Sequence, residues 1–65
     1  MTYVEIREGE VYKFRGPKGE IIERTVLKIG EPRKDMMWIR KHEDGKEVNV
    51  LIYVFEKYFR QCGVA

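Results

Sequence analysis

Little in this sequence can hold a reactive centre or a covalent brace. It carries a single cysteine, Cys62, and a single histidine, His42. One cysteine excludes an intramolecular disulfide. One cysteine with one histidine also excludes a His/Cys cluster of zinc spacing. No phosphate loop is present, because Gly16-Pro17-Lys18-Gly19 lacks both the length and the Lys-Ser/Thr ending. No apolar run approaches the roughly 20 residues that span a bilayer. Glu5, Glu8 and Glu10 occupy the N-terminal region, which has no apolar core of a secretory leader. These absences set a first expectation: one cytoplasmic domain over residues 1–65, with no metal, no cofactor, no membrane partner and no evident small-molecule substrate.

The residues that could support catalysis have plainer roles. Cys62 and His42 could form a nucleophile–base pair. A hairpin histidine and a small buried hydrophobe explain them better, since free cysteine is among the most buried residue types. Asp35 and Asp44 sit in turn-forming sequence, where Asp is common for local hydrogen-bonding reasons. A domain this small also has little room for a pocket that excludes water. The chain is therefore expected not to be an enzyme.

What is present is a folded β pattern. Hydrophobic residues make up 43% and charged residues 37%, yet the net charge is only +2. Disorder would show low hydrophobicity with high net charge. Val11 to Arg15 places Tyr12 and Phe14 on one face and Lys13 and Arg15 on the other, the period of a half-buried strand. Tyr3 to Arg7 could form a shorter strand before it. Gly16 to Gly19 reads as a turn, with Pro presetting φ and Gly permitting positive φ. Ile21 to Ile29 is rich in β-branched residues, but its apolar positions change phase. Ile22 and Val26 fall on one face, Leu27 and Ile29 on the other, and a bulge would reconcile them. A polar loop follows, from Gly30 to Asp35. Met36 to His42 is a third strand, Asp44-Gly45 suits a type I′ hairpin turn, and Glu47 to Tyr53 is a fourth strand.

The end of the chain changes period. Phe55, Tyr58, Phe59 and Cys62 recur at helical spacing, with Glu56, Lys57, Arg60 and Gln61 opposite. Gly63 is placed to stop this helix or 3₁₀ turn. The expected core is Tyr12, Phe14, Leu27, Ile29, Trp38 or Ile39, Val48, Val50, Ile52, Phe55 and Phe59. Four or five short strands with tight turns suggest a mainly β fold, a small antiparallel barrel of four or five strands. Closure would remove exposed edges.

The run Trp38-Ile39-Arg40, Asp44-Gly45, Leu51, Phe55 and Phe59 resembles small SH3-like barrel proteins of bacteria and phages. The likeness covers the second half of the chain. It implies an SH3-like barrel, and families of that layout include nucleic-acid binders and adaptors.

Two binding readings follow. The first is nucleic acid, held by Arg33, Lys34, Trp38, Arg40 and Lys41 with Arg15 and Lys18 by the first turn. Cations beside an aromatic platform can hold phosphates and stack a base. Asp35, Glu43, Asp44 and Glu47 interrupt this basic run, and a pI near 8.8 is modest for such a role. The second reading is a protein partner or homodimer, using Met36, Met37, Trp38 and Tyr53. Met, Trp and Tyr are enriched at interfaces, and Met36 to Ile39 holds more apolar residues than one strand face needs.

Overall fold

A computed structural model describes residues 5–64. The chain forms β1 (Val11–Arg15), β2 (Ile21–Ile29), β3 (Met36–Lys41), β4 (Glu47–Leu51) and α1 (Ile52–Cys62). Each strand pairs antiparallel with the next, in the order β1-β2-β3-β4. Among the described residues no strand joins β1 to β4. The fold is thus one open sheet with a terminal helix across one face, and the expected barrel closure is not seen. The first expected strand does not form over residues 5–7, and Tyr3 and Val4 lie outside the described residues. The molecule is a thin slab, 34 × 31 × 17 Å.

The phase change in β2 is a bulge. Val26 pairs with Ile39 and Lys28 with Trp38, so Leu27 is the extra residue. Before it, Ile22 and Val26 face the helix; after it, Ile29 does so opposite Met37. One inserted residue lets both apolar sets reach one core. The backbone of Glu10 and Gly9 meets this bend, with Val26 N–H donating to the Glu10 carbonyl (3.0 Å) and Gly9 N–H to the Val26 carbonyl (2.7 Å).

The core adds Val26 and Met37 to the expected list, loses Leu27 from it, and takes Ile39 of the Trp38-or-Ile39 alternative. Val26 and Met37 are its fully enclosed side chains, joined by Tyr12, Phe14, Ile39 and Phe55. Leu27, at the bulge, is only half-buried, and Trp38 lies on the opposite face from Ile39. Ile29, Val48, Val50, Ile52 and Phe59 pack around the centre as expected. Phe55 and Phe59 of α1 meet Tyr12 and Phe14 of β1 edge-to-face, at centroid distances of 5.0–5.7 Å. Such pairs add about 0.5–1.5 kcal/mol each beyond buried area. The Tyr12 hydroxyl accepts from Arg7 N–H (2.9 Å) and donates to the Glu5 carbonyl (3.3 Å), which ties the leading segment over the core.

Two turns differ from expectation. No non-glycine residue has positive φ among those described, so Asp44 cannot form a type I′ turn. Gly45 alone is left-handed (φ 72°), and the loop is closed by Lys41 N–H to Lys46 C=O and Gly45 N–H to Lys41 C=O. Gly63 ends α1 in extended backbone (φ −63°) rather than in a left-handed cap. Its lack of a side chain has another use: a Cβ there would run into the Phe59 carbonyl oxygen. Gly63 then bridges Phe14, and Val64 N–H donates to the Lys13 carbonyl (3.0 Å), so the chain end lies along β1.

The fourth strand stops two residues earlier than its pattern suggests. Leu51 offers α1 no side-chain cap, but Ile52 N–H bonds the Asp35 carbonyl at 2.9 Å. That bond satisfies one otherwise orphaned helix donor and fixes where strand becomes helix.

Candidate binding face

The helix leaves the other side of the sheet uncovered. Strand alternation sends Met36, Trp38 and Arg40 of β3 to that open face. Register places Lys28 and Asn49 directly beside Trp38, Leu51 beside Met36, and Glu47 and Thr25 beside Arg40. Trp38 is half-buried and stands at the centre of this surface. Leu51 (38% exposed) adds apolar area beside Met36, and Val11 (46%) adds more on β1, across Thr25 from Arg40.

Several cations are paired locally, while Arg15, Lys18, Lys28 and Lys34 make no ion pair among the described residues. Arg40 reaches Glu47 at 3.1 Å, and Lys13 reaches Glu23 at 3.8 Å, both across neighbouring strands or along the sheet. Arg33 lies 3.5 Å from Asp35, and Lys41 lies 3.5 Å from Asp44. Arg24 grips Glu43 with two hydrogen bonds, at 2.7 and 3.0 Å. The Glu43 carboxyl is held below its ordinary value, first by a backbone N–H of its own residue and then by the Arg24 guanidinium. Asp44 is lowered as well, chiefly because it accepts from Lys46 N–H (3.0 Å), with Lys41 a lesser cause.

The expected basic site does not gather. Arg15 and Lys18 lie at the end of β2 where Ile21 begins, while Arg33 and Lys34 lie beyond Ile29 at its other end. Along an extended strand those ends are roughly 25 Å apart. Lys41 shares Arg24's face of the sheet, the helix side, because the two pair in register. Only Trp38 and Arg40 of that set share the centre of the open face. The expected interface set also divides. Met36 and Trp38 stay together on the open face, but Met37 is fully enclosed and has no surface to present. Tyr53 is 69% exposed in the first turn of α1. β3 is an interior strand, so its backbone is occupied on both sides.

Sequence reasoning missed Lys28, Asn49 and Leu51 as neighbours of Trp38, because the bulge sets the register that brings Lys28 there. It also missed an apolar cleft of about 300 Å³ on the helix side, where Val54 and Tyr58 stand off from Ile22 and Ile39. Its rim cation, Arg24, is already engaged by Glu43. His42 Nε2 lies 2.6 Å from Thr25 Oγ1, and its Nδ1 is 3.6 Å from Glu23. Cys62 sits in the last turn of α1, beside Arg15 and Pro17. Among the described residues no His, Cys, Asp and Glu side chains gather as a metal site, and no helix is long and apolar enough to cross a membrane.

No protein-family model, curated protein or solved structure matches this chain.

Proposed function

We propose that this chain is a non-catalytic protein-binding module whose working surface is the open sheet face around Trp38. The observation that carries this reading is the setting of Trp38: a half-exposed aromatic flanked by Met36 and Leu51, with Arg40 neutralised by Glu47. Trp, Met and Arg are the residues that interface centres enrich. A cation already matched by a carboxylate gains less from a phosphate, because it gives up that ion pair to bind. The likeness to SH3-like proteins is one of element order, and the proposal does not depend on barrel closure.

The nucleic-acid reading keeps one specific observation. Lys28 pairs in register with Trp38 and has no carboxylate partner among the described residues. A base stacked on Trp38 would set its phosphate near that ammonium.

Panning a random peptide display library against the wild type and Trp38→Ala separates the two. Peptides with apolar anchors that bind the wild type and are lost in Trp38→Ala support the protein reading. A mixed-sequence single-stranded oligonucleotide that quenches Trp38 fluorescence, with affinity falling steeply with salt, would overturn it in favour of nucleic acid.

A further inference from the structure

The two edges of the sheet are unlike. In an antiparallel pair, residues alternate between bonding the neighbour and pointing away. Lys41 N–H bonds Lys46 C=O, and Ile52 N–H bonds Asp35 C=O. Continuing that alternation, Val48 and Val50 bond β3, while Glu47, Asn49 and Leu51 turn their backbone groups outward. Among the described residues nothing takes those groups except the Leu51 carbonyl, which as the N-cap oxygen of α1 accepts the helix's first bond. On β1 the same alternation sends Val11, Lys13 and Arg15 outward, but there Val64 N–H fills the Lys13 carbonyl and two cations line the edge. Lysines and covering segments are ordinary protections of an edge strand, and a bare strand without lysine, proline or bulge is a template for pairing. β4 has no lysine, proline or bulge, and Glu47 is its one charged residue.

We propose that a second copy of this chain pairs its β4 with β4 of the first, antiparallel, about a two-fold axis at Asn49. The occupant follows from how the edge complements itself. Centring on Asn49 sets Glu47 opposite the partner copy's Leu51 and Asn49 opposite Asn49, so the Asn49 groups pair with each other and each Leu51 N–H meets a Glu47 carbonyl. It also places Val48 beside Val50 of the other copy, a β-branched pair on the helix side. Shifting the centre to Glu47 would place two carboxylates opposite each other, which is destabilising. Shifting it to Leu51 would require partners beyond the strand, where α1 begins at Ile52. Charge thus disfavours the Glu47-centred register and strand length the Leu51-centred one. The α1 helix does not obstruct it, because it runs from β4 back over the sheet to Phe14.

This inference goes beyond the protein-binding reading above, because it uses the edge of the sheet and not the face around Trp38, and the two fail separately. The edge is tested by sedimentation of the full chain over a concentration series, with amide exchange followed by NMR. The expected result is a monomer–dimer equilibrium in which Glu47, Asn49 and Leu51 amides become protected as the dimer forms. Asn49→Lys sets two ammonium groups across the axis, and Asn49→Pro deletes an outward donor without touching β3 pairing. Both should remove the dimer while leaving the circular dichroism of the monomer unchanged. A wild type that stays monomeric at the highest soluble concentration, with those three amides exchanging freely, overturns the inference. So does a dimer that survives both substitutions. Peptide capture that depends on Trp38 would stand in either case, since it reads the face and not the edge.

Discussion

Met37 and Trp38 are adjacent in sequence and opposite in situation. Met37 is wholly enclosed, so Met37→Ala should cost about 2–5 kcal/mol, read from urea denaturation. Trp38→Ala empties no core position, and its midpoint should shift far less. The sequence shows four apolar residues in a row, from Met36 to Ile39, and alternation alone could not say which pair is buried. The register to β2 decides it, and that register depends on the extra residue Leu27. Tyr12 is legible in sequence as a core residue, but its hydroxyl partners are not, because they are backbone groups of Glu5 and Arg7. Tyr12→Phe should cost roughly 0.5–1.5 kcal/mol and speed amide exchange at Arg7.

The hairpin between β3 and β4 is the element with perturbed acids. Glu43 and Asp44 titrate below their ordinary values of 4.5 and 3.8 because they accept hydrogen bonds in the folded loop. A depressed folded value means the fold favours the ionised form. Their contribution is complete above the ordinary values and is lost as pH falls through the lowered ones. Carboxyl-carbon NMR titration should place both midpoints below those of the unfolded chain. Amides of residues 41–46 should shift in the same acid range, before the β1–β2 pairing does. Strand pattern, turn positions and the helical aromatic spacing were all readable here from local residues. The type of turn was not, since a single left-handed glycine and a type I′ pair share the same Asp-Gly letters. The early start of α1 was also hidden, because it hangs on a bond from Ile52 to Asp35 in a distant loop.

At the scale of the molecule, a slab 17 Å thick has one covered face and one open one. The sequence signals surplus apolar surface but places it on β3, whereas the free edge is β4. Topology explains the difference: an interior strand can offer side chains only, and an edge strand can offer its backbone too. The expected basic site fails at the same scale, since β2 separates its members end to end. Gly63 matters here. Replacing it with valine forces a side chain against the Phe59 carbonyl and should lift Gly63 and Val64 from β1. The wild type should show light scattering that plateaus at the dimer, and Gly63→Val combined with Lys13→Thr and Arg15→Thr, which strips every protection from β1, should show scattering that continues to rise with concentration.

That contrast is one of valence. A body with a single adhesive edge can join one other and is then saturated, like a monomer that terminates a polymer. A body with two such edges has no natural end and grows into a ribbon. The few atoms by which the chain's last described residues lie along Lys13 and Phe14 therefore count for more than local stability. Under the proposed β4 pairing, they act with Lys13 and Arg15 to leave the assembly one adhesive edge per chain.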